Sequence, residues 1–167
     1  DKLKARLVAG GHLQCRDDCA QADITAATVA LTSLLMILAI AATEHRHITT
    51  ADFSAAYLRA PMKPEEDGGV PVVVRLDAEI AGILVQMLPH LAPFRDDSGA
   101  LRGRLQRALY GCIESAKRWH DVLSAALGSI GFAPNPLDPC VFNRMKEEIQ
   151  CTIAIYVDDI LLTCREP

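Results

Sequence analysis

A chain of 167 residues, half of them hydrophobic and 5% aromatic, has room for one domain with a real core. Its net charge of −4 excludes a uniformly basic nucleic-acid binder. Basic residues nevertheless gather in two patches, Lys2, Lys4, Arg6 and Arg16 in one, Arg102, Arg104, Arg107, Lys117 and Arg118 in the other. No secretory leader pattern opens the sequence, so Cys15, Cys19, Cys112, Cys140, Cys151 and Cys164 are expected as reduced thiols in an intracellular setting, cytoplasmic particle or nucleus. His12, Cys15 and Cys19 supply only half of a zinc-site pattern, and no second ligand pair follows at the usual spacing.

Residues 3–8 alternate in part and predict a short strand, followed by the turn "AGGH". From Ile24 to Thr43 there is no charge, about the length of a membrane span. Thr25, Thr28, Thr32 and Ser33 dilute its first half, and Leu34 to Ala42 is too short to cross a bilayer. A buried helix is therefore expected in the second half, with a membrane segment as the alternative. Residues 47–52 suit a strand; Ser54 is placed to N-cap a short helix that Pro61 stops. "MKPEEDGG" is a loop, "VPVVVRL" a strand by its β-branched run, and residues 77–91 are helical in period with Pro89 near the end. A polar turn over 94–103 leads to an extended piece, "RLQRALYG". The helix from Ser115 is amphipathic, with Trp119, Val122, Leu123, Ala126 and Leu127 on one face and Gly131 as its stop. A strand follows "NPLDPCVFNR", "KEE" is a turn, and residues 150–157 and 160–163 form two strands. Helices mixed with antiparallel strands, without regular βαβ alternation, imply an α+β fold.

Between those last strands lie Asp158 and Asp159, two like charges in an apolar run. A solvated hairpin tip tolerates Asp, but Asp-Asp lacks the glycine that favours such turns and the charges repel. A hard divalent cation would offset that repulsion through carboxylate oxygens. A third acid is then needed from another strand end, and Asp52, closing "HITTAD", fits. Three acids at neighbouring strand ends suit two metal ions roughly 3.5–4 Å apart, one at the attacking oxygen and one at the leaving phosphate.

Five blocks in order, "KARLVAGG", "ADFSAAYLRAPM", "ALYGCIESAKRWH", "GFAPNPLDPCVFN" and "IYVDDILL", resemble the reverse transcriptase of copia-type LTR retrotransposons, across nearly the whole chain. The resemblance implies the fingers and palm of a right-hand polymerase, an antiparallel palm sheet packed on helices. Residues 1–50 and 61–110 would be mainly fingers, and 47–60 and 111–167 mainly palm, with thumb and RNase H absent from this piece of a longer polyprotein. It implies magnesium or manganese held by Asp52 and Asp158, with Asp159 supporting the site and the Phe53 carbonyl as an added ligand. The implied reaction adds a deoxynucleotide to a primer 3′ end on an RNA or DNA template, releasing pyrophosphate. Implied partners are template–primer, deoxynucleoside triphosphates and the remaining polyprotein domains, integrase and RNase H, with no membrane.

By the same resemblance Tyr57 walls off the sugar pocket and excludes a 2′-hydroxyl, Lys4 and Arg6 grip triphosphate, and Tyr110 and Gly111 line the nucleotide pocket. Lys117 and Arg118 would touch template phosphate. The plainer alternatives are a core aromatic for Tyr57, a solvated strand face for Lys4 and Arg6, and the polar face of an amphipathic helix for Lys117 and Arg118; Trp119 reads as core. The chain departs from the family pattern at Gly10, Ile113, Glu114 and Ala116, lacks the basic residue usual near Leu35, and is longer over residues 61–100. These departures bear on nucleic-acid grip and leave the acids untouched. The competing readings are a degenerate, non-catalytic element, a membrane-associated fragment built on residues 24–43, and a small metal phosphohydrolase using the same acids.

Overall fold

The computed structural model of the chain describes residues 6–16, 24–64 and 67–165. Among these, the α-helices are α1 (Leu31–Thr43), α2 (Ala56–Arg59), α3 (Ala78–Met87) and α4 (Ser115–Ser129). The strands are β1 (His47–Asp52), β2 (Val73–Leu76), β3 (Leu101–Arg104), β4 (Ala133–Asn135), β5 (Asp138–Lys146), β6 (Ile149–Tyr156) and β7 (Asp159–Cys164). Five strands form one antiparallel sheet in the order β1-β7-β6-β5-β4, and β2 pairs with β3 separately. The α+β expectation holds.

The apolar run through β5 and β6 follows from a sheet covered on both faces. Side chains alternate across a strand. Phe142, Ile153 and Ile155 turn to one face, where they pack with Trp119, Leu123 and Leu127 of α4. Their neighbours Val141 and Ala154 turn to the other face, against Ile37 of α1. The spacing Trp119, Leu123, Leu127 is one stripe of a helix, and the stripe is buried; Ala126, expected on it, is exposed. The helix stops as its glycine predicts: Gly131 has φ +88°, and the Phe132 amide donates back to the Leu127 carbonyl at 3.0 Å.

Helix α1 is buried less than its composition suggests. Only Ile37 and Ala41 are buried, while Leu35 and Met36 are exposed. At 13 residues it is well short of a span, and no helix among the described residues is long and apolar enough to cross a membrane. Its N-terminus is fastened from a distance. Asp138, the first residue of β5, accepts the Ala30 amide on Oδ2 and the Cys140 amide on Oδ1, both at 3.0 Å. Burial raises the Asp138 pKa, but the hydrogen bonds from Ser33, Ala30 and Cys140 outweigh it and hold the carboxyl below its usual value. The acid of the "DPCVF" block therefore joins α1 to the sheet, and its Phe142 fills the core.

Several expectations are corrected. Ser54 makes no cap; α2 is preceded by Ala55 in a left-handed conformation (φ 58°). The extended piece expected over 104–111 begins earlier, as β3, because Leu101 to Arg104 pair with Val73 to Leu76; beyond it only an isolated bridge joins Arg107 to Pro61. Residues 6–8 are not strand, and the next amide, of Ala9, bonds to the Tyr110 carbonyl instead of to a sheet; residues 3–5 lie outside the described residues. The short edge strand β4 was not expected, and its Pro134 suits an edge. Cys151 and Cys164, one on β6 and one on β7 with Cα atoms 4.5 Å apart, are joined as a disulfide, against the expectation of free thiols; Cys15, Cys112 and Cys140 are free. Cys19 lies outside the described residues.

Candidate active site at the β1 and β6–β7 strand ends

The acids come together through backbone register. β1 runs antiparallel to β7 with Asp52 opposite Asp159, and Asp159 also opposes Tyr156 of β6. Directly opposed residues share a face of the sheet, so Asp52 and Asp159 project to one side. They border a groove of about 620 Å³ whose other walls include Val29, Leu31 and Leu34 before and on α1. The expected tip of two acids is shifted by one residue: the turn is Val157–Asp158, and Asp159 already belongs to β7. Asp52 and Asp159 are exposed and Asp158 is half-buried.

This turn is strained and tightly held. Val157 has φ 57°, a conformation that costs a β-branched residue about 1–3 kcal/mol. Its carbonyl accepts a hydrogen bond from the Trp119 indole Nε1–H at 2.7 Å. The next carbonyl, of Asp158, accepts from the Phe53 amide at 2.9 Å. The Phe53 ring in turn meets the Trp119 ring edge-on, with centroids 5.3 Å apart. Trp119 is 4% exposed, so the core role read from the sequence is right. Its polar role was not read, because periodicity locates a buried face and not the indole's partner. The signal available was that a buried tryptophan N–H needs an acceptor.

Beside Asp158 lies an aromatic wall. Tyr57 of α2 and Tyr110 stand with ring centroids 4.6 Å apart, and the Arg6 guanidinium lies over the Tyr110 ring at 4.5 Å. Burial, then the Asp158 carboxylate, then Tyr110 push the Tyr57 hydroxyl above its ordinary pKa, so it stays a neutral phenol at working pH. The wall is fixed by backbone packed on backbone. The Ala9 amide donates to the Tyr110 carbonyl at 2.7 Å. A Cβ on Gly11 would collide with the Gly111 carbonyl, and one on Gly111 (φ +91°) with the Ala9 carbonyl. The glycines of "VAGG" and "LYG" thus interlock two blocks about a hundred residues apart in the chain.

Phe53 and Tyr57 therefore adjoin Asp158, and Tyr57 is continued by Tyr110 and Arg6, whereas Asp52 and Asp159 border the groove on the α1 side; Lys4 lies outside the described residues. Lys117 and Arg118 face other tasks. Lys117 pairs with Asp121, and Arg118 pairs with Glu114 at 3.4 Å with only 12% of its side chain exposed. The departure at Glu114 supplies an internal partner for Arg118. No three His, Cys, Asp or Glu side chains among the described residues are grouped closely enough to hold a metal by themselves. The donor chemistry suits magnesium all the same, because magnesium is bound through one or two carboxylates plus substrate phosphates, not by an all-protein cage.

The sequence profile of the family described as "Reverse transcriptase (RNA-dependent DNA polymerase)" matches residues 1–167. The chain is 29% identical over 95% of its length to the Transposon Ty1-BL and Ty1-MR1 Gag-Pol polyproteins of Saccharomyces cerevisiae. It is 28% identical over 98% of its length to the Ty1-DR5 Gag-Pol polyprotein of the same yeast. It spans 8% of the length of each of these relatives. No solved structure matches it.

Proposed function

The chain belongs to the reverse transcriptase family, of the copia type, and from that premise we propose that it forms the fingers and palm of an RNA-directed DNA polymerase within a retrotransposon polyprotein. The α4-backed sheet with the acids at one end is the palm, and residues before 50 and over 61–110 are the fingers. The reaction is attack of a primer 3′-hydroxyl on the α-phosphorus of a deoxynucleoside triphosphate, with pyrophosphate as leaving group. Asp52 and Asp158 hold magnesium or manganese, and Asp159 supports them; when bound, the cation neutralises triphosphate charge and favours the ionised 3′-oxygen. Tyr57 walls the sugar, Tyr110 and Gly111 line the nucleotide pocket, and Arg6 meets phosphate. Lys4 belongs to the same grip. Template–primer and the remaining polyprotein domains are the partners. Lys117 and Arg118 serve the template strand only if they leave their acidic neighbours.

The observation that supports this reading is that Asp52 pairs with Asp159 at one sheet end while Asp158, in the adjoining turn, lies beside Tyr57 and its neighbours Tyr110 and Arg6. Primer extension on an RNA template with magnesium tests it, together with magnesium-dependent thermal stabilisation by deoxynucleotide. Residues 1–167 alone should extend a primer weakly at most; in a longer chain that carries the remaining polymerase, extension and stabilisation, both lost in Asp158→Asn, are expected. Stabilisation that survives that substitution unchanged would remove Asp158 from the metal site. Nucleotide hydrolysis without a primer would favour a phosphohydrolase instead.

A further inference from the structure

We propose that Trp119 is a positioning residue for the turn that carries Asp158, acting through its indole N–H and not only through its bulk. Three contacts close a ring. The indole N–H donates to the Val157 carbonyl at 2.7 Å, the Phe53 amide donates to the Asp158 carbonyl at 2.9 Å, and the Phe53 and Trp119 rings meet at 5.3 Å. Each element has a distinct origin: Trp119 is on the core face of α4, Phe53 directly follows Asp52, and the two carbonyls are consecutive in the β6–β7 turn. One buried tryptophan thus couples the strand end bearing Asp52 to the turn bearing Asp158.

The need for such a device follows from Val157. At φ 57° a valine relaxes toward ordinary backbone unless its surroundings prevent it, and relaxing would re-aim the Asp158 carboxylate, which lies beside Tyr57. A core phenylalanine would fill most of the same space but could not donate to the carbonyl. Removing the donor from that part-buried acceptor is costly, so the turn is released. The consequence for the proposed polymerase, on which this step rests, is a loss in the chemical rate with little change in nucleotide affinity, because the aromatic wall at Tyr57 and Tyr110 is untouched.

Trp119→Phe tests the device in two independent ways. Amide hydrogen exchange at Phe53 reads the ring directly, without any polymerase activity; exchange about tenfold faster than in the parent protein is expected. Primer extension should show kcat reduced about tenfold with the deoxynucleotide KM within about twofold. Adding Val157→Gly, which makes the left-handed backbone intrinsically accessible, should recover much of both losses. Parent-like Phe53 exchange in Trp119→Phe would overturn the proposal, whatever the polymerase assay gives. So would equal losses with and without Val157→Gly, which would mark core packing as the cause. A parent protein with no extension at all would instead count against the polymerase reading and leave the exchange result to decide the role of Trp119.

Discussion

Two hairpin turns in the same sheet break the same rule and are handled in opposite ways. Between β5 and β6 the turn is Glu147–Glu148, with φ 50° and 65°; between β6 and β7 it is Val157–Asp158, with Val157 at 57°. Neither contains the glycine that left-handed backbone favours. The first turn is exposed, and acidic side chains tolerate it in water. The second is gripped by Trp119 from α4 and by Phe53 just after β1, and it carries an acid of the proposed site. Strain left loose in solvent is a local cost, whereas strain held from two sides fixes where a carboxylate points.

The sharpest way to break this comparison is to neutralise one acid in each turn. Asp158→Asn should reduce primer extension by at least about a hundredfold, the scale of losing a preorganised charge at a transition state. Glu148→Gln should leave extension unchanged. Equal effects from the two substitutions would mean that the β6–β7 turn has no special role.

The next largest effect concerns the wall beside the gripped turn. Gly111→Ala places a methyl against the Ala9 carbonyl at a left-handed position, and neither backbone can yield without separating residues 9–11 from the 110–111 turn. A loss of about 2–3 kcal/mol in stability is expected, read from the chemical denaturation midpoint. A loss below about 0.5 kcal/mol would show that the interlock is not needed. Gly103→Ala, where a Cβ meets nothing within 4 Å and φ is not left-handed, is the matched control.

What the sequence disclosed, and what it withheld, follows the same division. Strand β1 is legible to the residue because its β-branched run ends on Asp52 where a helix follows. Helix α4 is legible because Trp119, Leu123 and Leu127 recur at its period. The neighbourhood of the β1 end and the acidic turn follows from register, which sets Asp159, not Asp158, opposite Asp52. The indole bond to Val157 and the interlock of Gly11 with Gly111 were not foreseen. Both depend on which distant backbone atom lies opposite, and no periodic pattern encodes that. Ser54 misled because it has the residue type of a cap, while the chain turns instead through Ala55.

Further along the same strands, Asp138 begins the β5 strand that ends at the loose turn. Asp138→Ala removes the acceptor for the Ala30 and Cys140 amides, and a loss on the order of 2 kcal/mol is expected. The parent protein's dependence on pH supplies a second reading. The folded-state pKa of Asp138 is lowered, so its contribution is complete above the ordinary carboxylate value of about 3.9 and fades as pH falls through the folded value. Denaturation midpoints measured below about pH 4 should therefore fall more steeply with acid in the parent than in Asp138→Ala. Parallel acid profiles would assign the acid sensitivity to other carboxylates.

The smallest effect is also the one that isolates the loose turn. Glu148 adopts φ 65° with an exposed side chain, so replacing it by glycine removes the Cβ penalty and touches no packed neighbour. The penalty is about 1 kcal/mol, and the greater freedom of glycine in the unfolded chain offsets part of it. Glu148→Gly should raise stability by about 0.5 kcal/mol and leave primer extension unaltered. Val157→Gly relieves the same kind of penalty at a turn that Trp119 and Phe53 still hold, so with both bonds intact extension there should stay close to the parent's. A Glu148→Gly protein that is less stable than its parent would mean that the outer turn, too, is held by contacts its side chain makes, and the contrast between the two hairpins would fail.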